Sequence, residues 1–310
     1  MSSTTAQPAF IALDWGTSSF RAYLADRSGV VIDHSEGAEG ITKTRNGAFE
    51  DVLERRIGNW DRGLPVLASG MITSRQGWIE VPYVSCPAGL TEIAAGVHRH
   101  RTATGRSVLF VPGLSQRRPA DAAPDVMRGE ETQVLGAIAA GEDGRLAVLP
   151  GTHSKWVLRV DGRIDRFATF MTGEVFEALK THTILGRLMT DDTHDATAFA
   201  RGVRVSLSTA TRAPGLLHDL FGARTLGLLG DLPGSALASY LSGLLIGAEI
   251  AGAVRNLGTP SKDPVVIGSP ALTERYLTAL QLAGTTAHAG PENAAVIGLS
   301  RIAAATGALS

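Results

Sequence analysis

Cysteine is nearly absent: Cys86 is the only one in 310 residues. A single thiol forms no internal disulfide and supports no cysteine-rich metal site. Aromatic residues are scarce at 5%, which argues against the base-stacking platforms of single-strand nucleic-acid binders. Neither sign of charge dominates, with 29 basic and 30 acidic side chains, so no net field draws a nucleic acid or an anionic membrane. No uninterrupted apolar stretch reaches about 18 residues, and residues 1–8, MSSTTAQP, lack the apolar core of a signal peptide. These absences lead us to expect a cytoplasmic protein with small-molecule partners, no nucleic acid and no membrane. A homodimer is left open. The length suffices for two domains with full cores.

What is present in quantity is glycine, 36 residues, and two glycines open a repeated motif. The stretch IALDWGTSSFR (Ile11 to Arg21) reads as strand, tight turn, strand. Its tip suits phosphate: Gly16 lets the backbone approach, N–H groups around Thr17 and Ser18 can point inward, and the hydroxyls add donors. Asp14, at the end of the strand, is placed to hold Mg²⁺ directly or through water. Alone, such a tip is more often only an ordinary turn. A second copy changes the balance. LPGTHSKWVL (Leu149 to Leu158) repeats the GT-x-S pattern, follows an apolar run, and leads through an alternating stretch to a turn at Asp161-Gly162. Two phosphate-type hairpins about half a chain apart suggest two related halves facing each other across a cleft.

The rest of the chain alternates strand and helix patterns. A three-strand meander is expected at 9–15, 19–25 and 29–34, then an amphipathic helix over 48–60 and buried strands at 65–69 and 107–111. Between those strands lies GMITSRQGW (Gly70 to Trp78), a polar loop bounded by glycines. Residues 114–125 read as a charged surface loop. A helix is expected over 127–140 with Glu130 and Glu131 in its first turn, where carboxylates meet the positive end of the helix dipole. Further helices are expected at 171–188, 196–209, 271–282 and 292–306, and strands at 264–268 and 286–289. The segment 233–256 is apolar nearly all round and is therefore expected to be buried between layers. The alternation indicates an α/β architecture with parallel pairing.

Taken together, IALDWGTSSFRA, GMITSRQGW, VMRGEETQVLGA, LPGTHSKWV, FMTGE, LSGLLIGAEI and GSPALTERY resemble the 2-dehydro-3-deoxygalactonokinase (2-keto-3-deoxygalactonate kinase) family, within the actin–hexokinase superfamily of sugar kinases. The resemblance covers nearly the whole chain. It implies two ribonuclease-H-like domains, here 1–140 for the sugar acid and 141–310 for the nucleotide, with ATP and Mg²⁺ in the cleft. It also implies transfer of the γ-phosphate to the 6-hydroxyl of 2-dehydro-3-deoxy-D-galactonate.

On this basis Asp14, Gly16, Thr17 and Ser18 are expected to hold Mg²⁺ and the terminal phosphates, and Gly151, Thr152, His153 and Ser154 to clasp the phosphates from the other domain. Lys155 either adds charge or faces solvent. Related sugar kinases place an Asp after a glycine at the start of the helix preceding the second hairpin. Here that position is Glu130, the expected base, with Glu131 in reserve; capping of the helix is the plainer role for both. The substrate carboxylate calls for a cation, and bidentate arginine is the usual answer. Arg75 is the first candidate, with Ser74 and Gln76 beside it; Arg21 and Arg128 follow. Trp15 and Trp78 are candidates to pack on the carbon face of the sugar, although tryptophan is more often core. Gly268-Ser269, opening a helix, is expected to receive the adenine, with Ser269 standing where the superfamily commonly has a second glycine. The rivals are a kinase for another ketodeoxy sugar acid, such as the gluconate epimer, and an actin-like sensor that binds ATP without catalysis.

Overall fold

The computed structural model describes residues 7–44, 47–117, 123–138, 145–191, 193–209, 215–259 and 261–309. Two apolar runs start its two main sheets. In the first, β1 (Phe10–Trp15), β2 (Phe20–Ala25) and β3 (Val31–Gly37) form an antiparallel meander. After α1 (Phe49–Ile57), β4 (Val66–Ser69) returns parallel to β1. Then come β5 (Val84–Ser85), α2 (Leu90–Ala95), β6 (His98–Arg101) and β7 (Ser107–Phe110), the last parallel to β4. The sheet order is β3-β2-β1-β4-β7-β6. β8 (Leu114–Gln116) pairs with β5 and with β9 (Asp125–Met127) in a small separate sheet, and α3 (Glu130–Ala137) follows.

The second main sheet repeats the plan. β10 (Arg145–Leu149), β11 (Ser154–Val160) and β12 (Arg163–Phe170) lead into α4 (Thr172–His182), α5 (Ala196–Thr209), α6 (Leu216–Leu228) and α7 (Gly234–Leu257). β13 (Lys262–Val266) pairs parallel with β10 and, after α8 (Pro270–Leu282), β14 (His288–Ala289) pairs parallel with β13. The order β12-β11-β10-β13-β14 matches β3-β2-β1-β4-β7 strand for strand. The duplicated hairpin thus belongs to a duplicated α/β fold, ribonuclease-H-like in each half. α9 (Ala294–Ala305) ends the chain.

The chain divides into two compact units: residues 1–143 with 159–166 and 291–310, and residues 144–158 with 167–290. The last helix therefore belongs to the first unit, where α9 donates from Ser300 Oγ to Arg27 O and from Asn293 Nδ2 to Gly29 O. The boundary expected at 140/141 falls outside the described residues. The core of the first unit gathers Leu13, Trp15, Phe20, Leu53 and Phe110; that of the second gathers Val148, Trp156, Phe199, Ile250 and Tyr276.

Local chemistry explains most elements and several departures. The β11–β12 turn has positive φ at both Asp161 (49°) and Gly162 (74°), which matches the right-handed twist of the strands it joins. The helix expected from Met127 starts only at Glu130, because Gly129 at φ 106° breaks the run and Asp125–Met127 pairs as a strand. Strand pairing likewise takes both ends of the expected 114–125 loop, of which 118–122 lie outside the described residues. Thr183, extended at ψ 174°, divides the expected 171–188 helix into α4 and a 3₁₀ turn. α7 is long and apolar enough to cross a membrane by composition, more so than the sequence suggested. However, 72% of its most apolar window is buried inside the protein, as a core helix is.

Candidate active site

In the first unit, three chain segments converge at the carboxyl ends of β1 and β4, where Asp14 pairs with Ser69. Gly70 follows β4 at φ 90°; a Cβ there would lie 2.9 Å from Trp15 O and 3.3 Å from Asp14 Oδ1. Gly129 sits at φ 106° with room for a Cβ only 3.2 Å from Gly70 Cα. Both positions need glycine, for conformation and for space. Through that contact the start of α3, with Glu130 as its first residue, lies against Gly70, which itself sits beside Asp14 near the end of β1.

The two glutamates part company there. Glu131 is fully buried, and both its oxygens accept from Gly129 N–H, at 2.8 and 3.0 Å. Burial first, and then the neighbouring charge of Glu130, push the Glu131 carboxyl up to about 8. Glu130 is partly exposed and accepts from Arg128 N–H at 2.9 Å. Thr132 completes the clamp, its Oγ1 donating to Gly129 O at 2.7 Å. Asp14 keeps 29% of its side chain exposed and lies 3.5 Å from Arg21 Nη1. Burial of its surroundings raises the Asp14 pKa, and Arg21 opposes that rise.

The first hairpin tip is tied back by its carbonyls. Ile41 N–H donates to Gly16 O at 3.1 Å, and Thr42 N–H and Oγ1 both donate to Thr17 O. The side chains of Thr17 and Ser18 stay exposed. In the loop after Gly70, Ser74 turns inward to donate to Met71 O at 2.7 Å, and Gly77 N–H closes the turn on Ser74 O. Arg75 and Gln76 are left exposed at that turn, and Arg75 makes no hydrogen bond or ion pair among the described residues.

Three expected substrate contacts have other work. The Arg128 guanidinium donates to Thr73 O, Thr73 Oγ1 and Val81 O and lies 4.2 Å above the Tyr83 ring. Its Nη1 and Nη2 are committed to the 73–83 segment, and its Nε is buried. Trp78 stacks on Phe49 and meets Phe110 and His100 edge-on. Trp15 is fully buried and donates from Nε1 to Glu39 O at 2.7 Å. Trp15 is a core residue, and Trp78, partly buried, packs against the same core.

In the second unit, the hairpin tip meets a helix start. A Cβ on Gly173 would strike Gly151 O at 2.5 Å and Thr152 Cα at 2.8 Å, so α4 presses directly on the tip. Glu174 N–H donates to Thr152 O at 3.0 Å, and Glu174 Oε2 pairs with His153 Nε2. Thr152 and His153 are exposed, and the space around Gly151 is open. Ser154, expected on phosphate, is instead fully buried and bonded to Tyr276 OH at 3.0 Å; Lys155 is buried as well. Parallel pairing of β13 with β10 brings Gly268 beside Pro150, with Ser269 as N-cap and Pro270 opening α8. A cavity of about 190 Å³ lies between α4, α7 and α8, lined by Phe176, Lys180, Ser239, Ser242 and Arg275 among others.

Sequence reasoning passed over Arg275, Tyr276 and Glu249. Glu249 was signalled, as a lone acid inside the apolar LSGLLIGAEIAG stretch. Among the described residues no group of three or more His, Cys, Asp or Glu gathers to hold a metal. A single partly exposed carboxylate such as Asp14 still suits Mg²⁺, which keeps several waters and binds through one or two carboxylates.

Two ribonuclease-H-like units, each with a glycine-threonine hairpin at the carboxyl end of its first strand, define an actin-like sugar kinase fold. The chain belongs to the 2-keto-3-deoxy-galactonokinase family, whose model matches residues 14–302. It is 40% identical over 305 residues to a probable 2-dehydro-3-deoxygalactonokinase of Rhizobium meliloti, covering 96% of this chain and 97% of that one. It is 35% identical to 2-dehydro-3-deoxygalactonokinase of Escherichia coli, covering 91% of this chain and 93% of the relative. The crystal structure of a Sinorhizobium meliloti protein, provisionally described as a 2-dehydro-3-deoxygalactonokinase, superposes with a TM-score of 0.85 at 38% identity, covering 95% and 98% of the two chains.

Proposed function

We propose that this protein transfers the γ-phosphoryl group of ATP to the 6-hydroxyl of 2-dehydro-3-deoxy-D-galactonate, releasing ADP. The observation that supports this reading best is the Gly70–Gly129 contact, which brings the start of α3 against the residue beside Asp14 while Glu131 is withdrawn into the core. Phosphoryl transfer is mostly positioning and charge neutralisation, with a base to receive the hydroxyl proton. Glu130 is that base: it takes the proton as the 6-oxygen bonds to the γ-phosphorus and the bond to the β-phosphate oxygen breaks. Glu131, holding Gly129, keeps Glu130 at its station.

Asp14 would hold Mg²⁺, with water completing the shell; when bound, the ion neutralises phosphate oxygens. Gly16, Thr17 and Ser18 offer backbone and hydroxyl donors to the transferring group. Gly151, Thr152 and His153 hold the remaining phosphates against the start of α4, and the adenine is received at Gly268 and Ser269, where α8 opens. Arg75, exposed with Gln76 at the turn after Ser74, takes the substrate carboxylate. The location that goes with this reading is the cytoplasm, where ATP is supplied.

The test is coupled ADP release from Mg²⁺ and ATP with the galactonate-derived acid, its gluconate epimer and a water blank. Turnover well above the blank that prefers the galactonate acid, and falls by about a hundredfold or more in Glu130→Ala, supports substrate and base together. Turnover with the epimer alone discards the substrate. Nucleotide binding without turnover on any sugar acid sinks the kinase reading in favour of a sensor.

A further inference from the structure

We infer that Glu249 is a positioning residue for the nucleotide, a single buried carboxylate that holds the hairpin, the start of α4 and α8 in one arrangement. The inference rests on the reading that the second unit binds ATP.

Glu249 lies on α7 and is 3% exposed. Three side chains from three other elements donate to it. Trp156 Nε1 reaches it from β11 at 2.7 Å, Tyr276 OH from α8 at 2.7 Å, and Thr172 Oγ1 from the first position of α4. Ser154 Oγ joins the network through Tyr276 OH at 3.0 Å. Each partner stands on or beside a segment proposed to contact the nucleotide. Ser154 and Trp156 open the strand that leaves the hairpin tip. Thr172 precedes Gly173, the residue pressed against Gly151 and Thr152. Tyr276 lies on α8, whose N-cap is Ser269. Ser154, Trp156 and Tyr276 are buried and Glu249 is 3% exposed, so the carboxylate acts through its partners rather than on the ligand.

Burial raises the Glu249 pKa while its donors oppose that rise. A buried carboxylate is costly unless its lone pairs are used, and its loss strands every donor aimed at it. The hydroxyls of Thr172 and Tyr276 can accept as well as donate, so a glutamine at 249 can still bond both while its carbonyl receives Trp156. A leucine can bond none.

The experiment measures calorimetric ADP binding, KM for the sugar acid and thermal melting. It uses the wild type, Glu249→Gln, Glu249→Leu, Thr172→Val and Tyr276→Phe. Thr172→Val removes one donor, and Tyr276→Phe removes one donor together with the partner of Ser154 Oγ. The expected result is an ADP Kd raised about tenfold in both, with KM for the sugar acid unchanged. Glu249→Leu weakens ADP further, and Glu249→Gln restores binding toward wild type. If Thr172→Val and Tyr276→Phe melt earlier but bind ADP as the wild type does, the network is only structural and the inference is overturned. Failure of the wild type itself to bind ADP would instead remove the nucleotide reading on which it rests.

Discussion

The two hairpins carry the same GT-x-S letters but solve different problems. In the first, Asp14 pairs with Arg21 and six residues lie between them; in the second, Leu149 pairs with Lys155 and five lie between. A register change of one residue exchanges the faces of a strand. The environments differ too. Arg21 is exposed on β2, whereas β11 is buried on both faces from Ser154 to Val157. The serine that the motif repeats is partly exposed in the first tip, as Ser19, and buried and locked to Tyr276 in the second, as Ser154. The acid is also one-sided: Asp14 has Leu149 as its counterpart. On the proposed reading, the first hairpin would serve the metal ion and the reacting group, and the second would hold phosphate with backbone donors.

The sharpest test of that division is Asp14→Asn, which keeps shape and removes charge. Initial rates across a Mg²⁺ titration should show kcat lowered by about a hundredfold, with ADP affinity measured without metal unchanged. Equal loss of metal-free ADP binding would erase the distinction between the hairpins.

Next come paired glycine substitutions. Gly129→Ala forces a side chain into positive φ against Gly70, a strain of about 1–3 kcal/mol, and should lower both melting temperature and kcat. Gly151→Ala enters open space and should leave melting unchanged while weakening ADP. Identical melting behaviour of the two variants would contradict the packing described for the first site.

A smaller effect is expected of Arg75→Ala. Steady-state kinetics should show KM for the sugar acid raised about tenfold, as for a lost charge-assisted contact, with KM for ATP unchanged. A rise in the ATP KM instead would reassign the 74–77 turn.

The smallest concerns Glu131. Its folded pKa, pushed up to about 8 from an ordinary 4.5, means that its contribution to stability is full below the ordinary value and is lost as pH rises through 8. Glu131→Gln does not titrate. Melting curves between about pH 5 and about pH 9 should show the variant gaining on the wild type as pH rises. A constant difference across that range would mean that the carboxyl is not held protonated.

Much of the fold was legible because its signals are local. An apolar run marked β1, strand-like composition marked β2, alternation marked β11, and turn residues marked Asp161-Gly162. The apolar circumference of 233–256 marked a helix buried on every side. The short strands β5 and β9 and the helix α6 were missed or misread, since pieces so brief or so evenly apolar carry no clear period. The positions of Asp14 near a strand end and of Glu130 at a helix start were legible because such boundaries show in the pattern. Arg128 and Trp78 were misjudged because their partners come from far along the chain. Arg128 meets Thr73 across 55 residues, and Trp78 meets Phe49 and Phe110 from other elements.

The sequence by itself determined the duplicated α/β plan, the two glycine-threonine tips and the kinase family, because periodicity, turn chemistry and motif order are properties of neighbours along the chain. Only the tertiary structure decided which of two adjacent glutamates stays accessible, which arginine keeps its fork free, and that a lone acid in an apolar helix binds three other elements together. Burial and hydrogen-bond partners depend on what arrives from elsewhere in the chain, and the same serine or glutamate takes a different role according to what covers it.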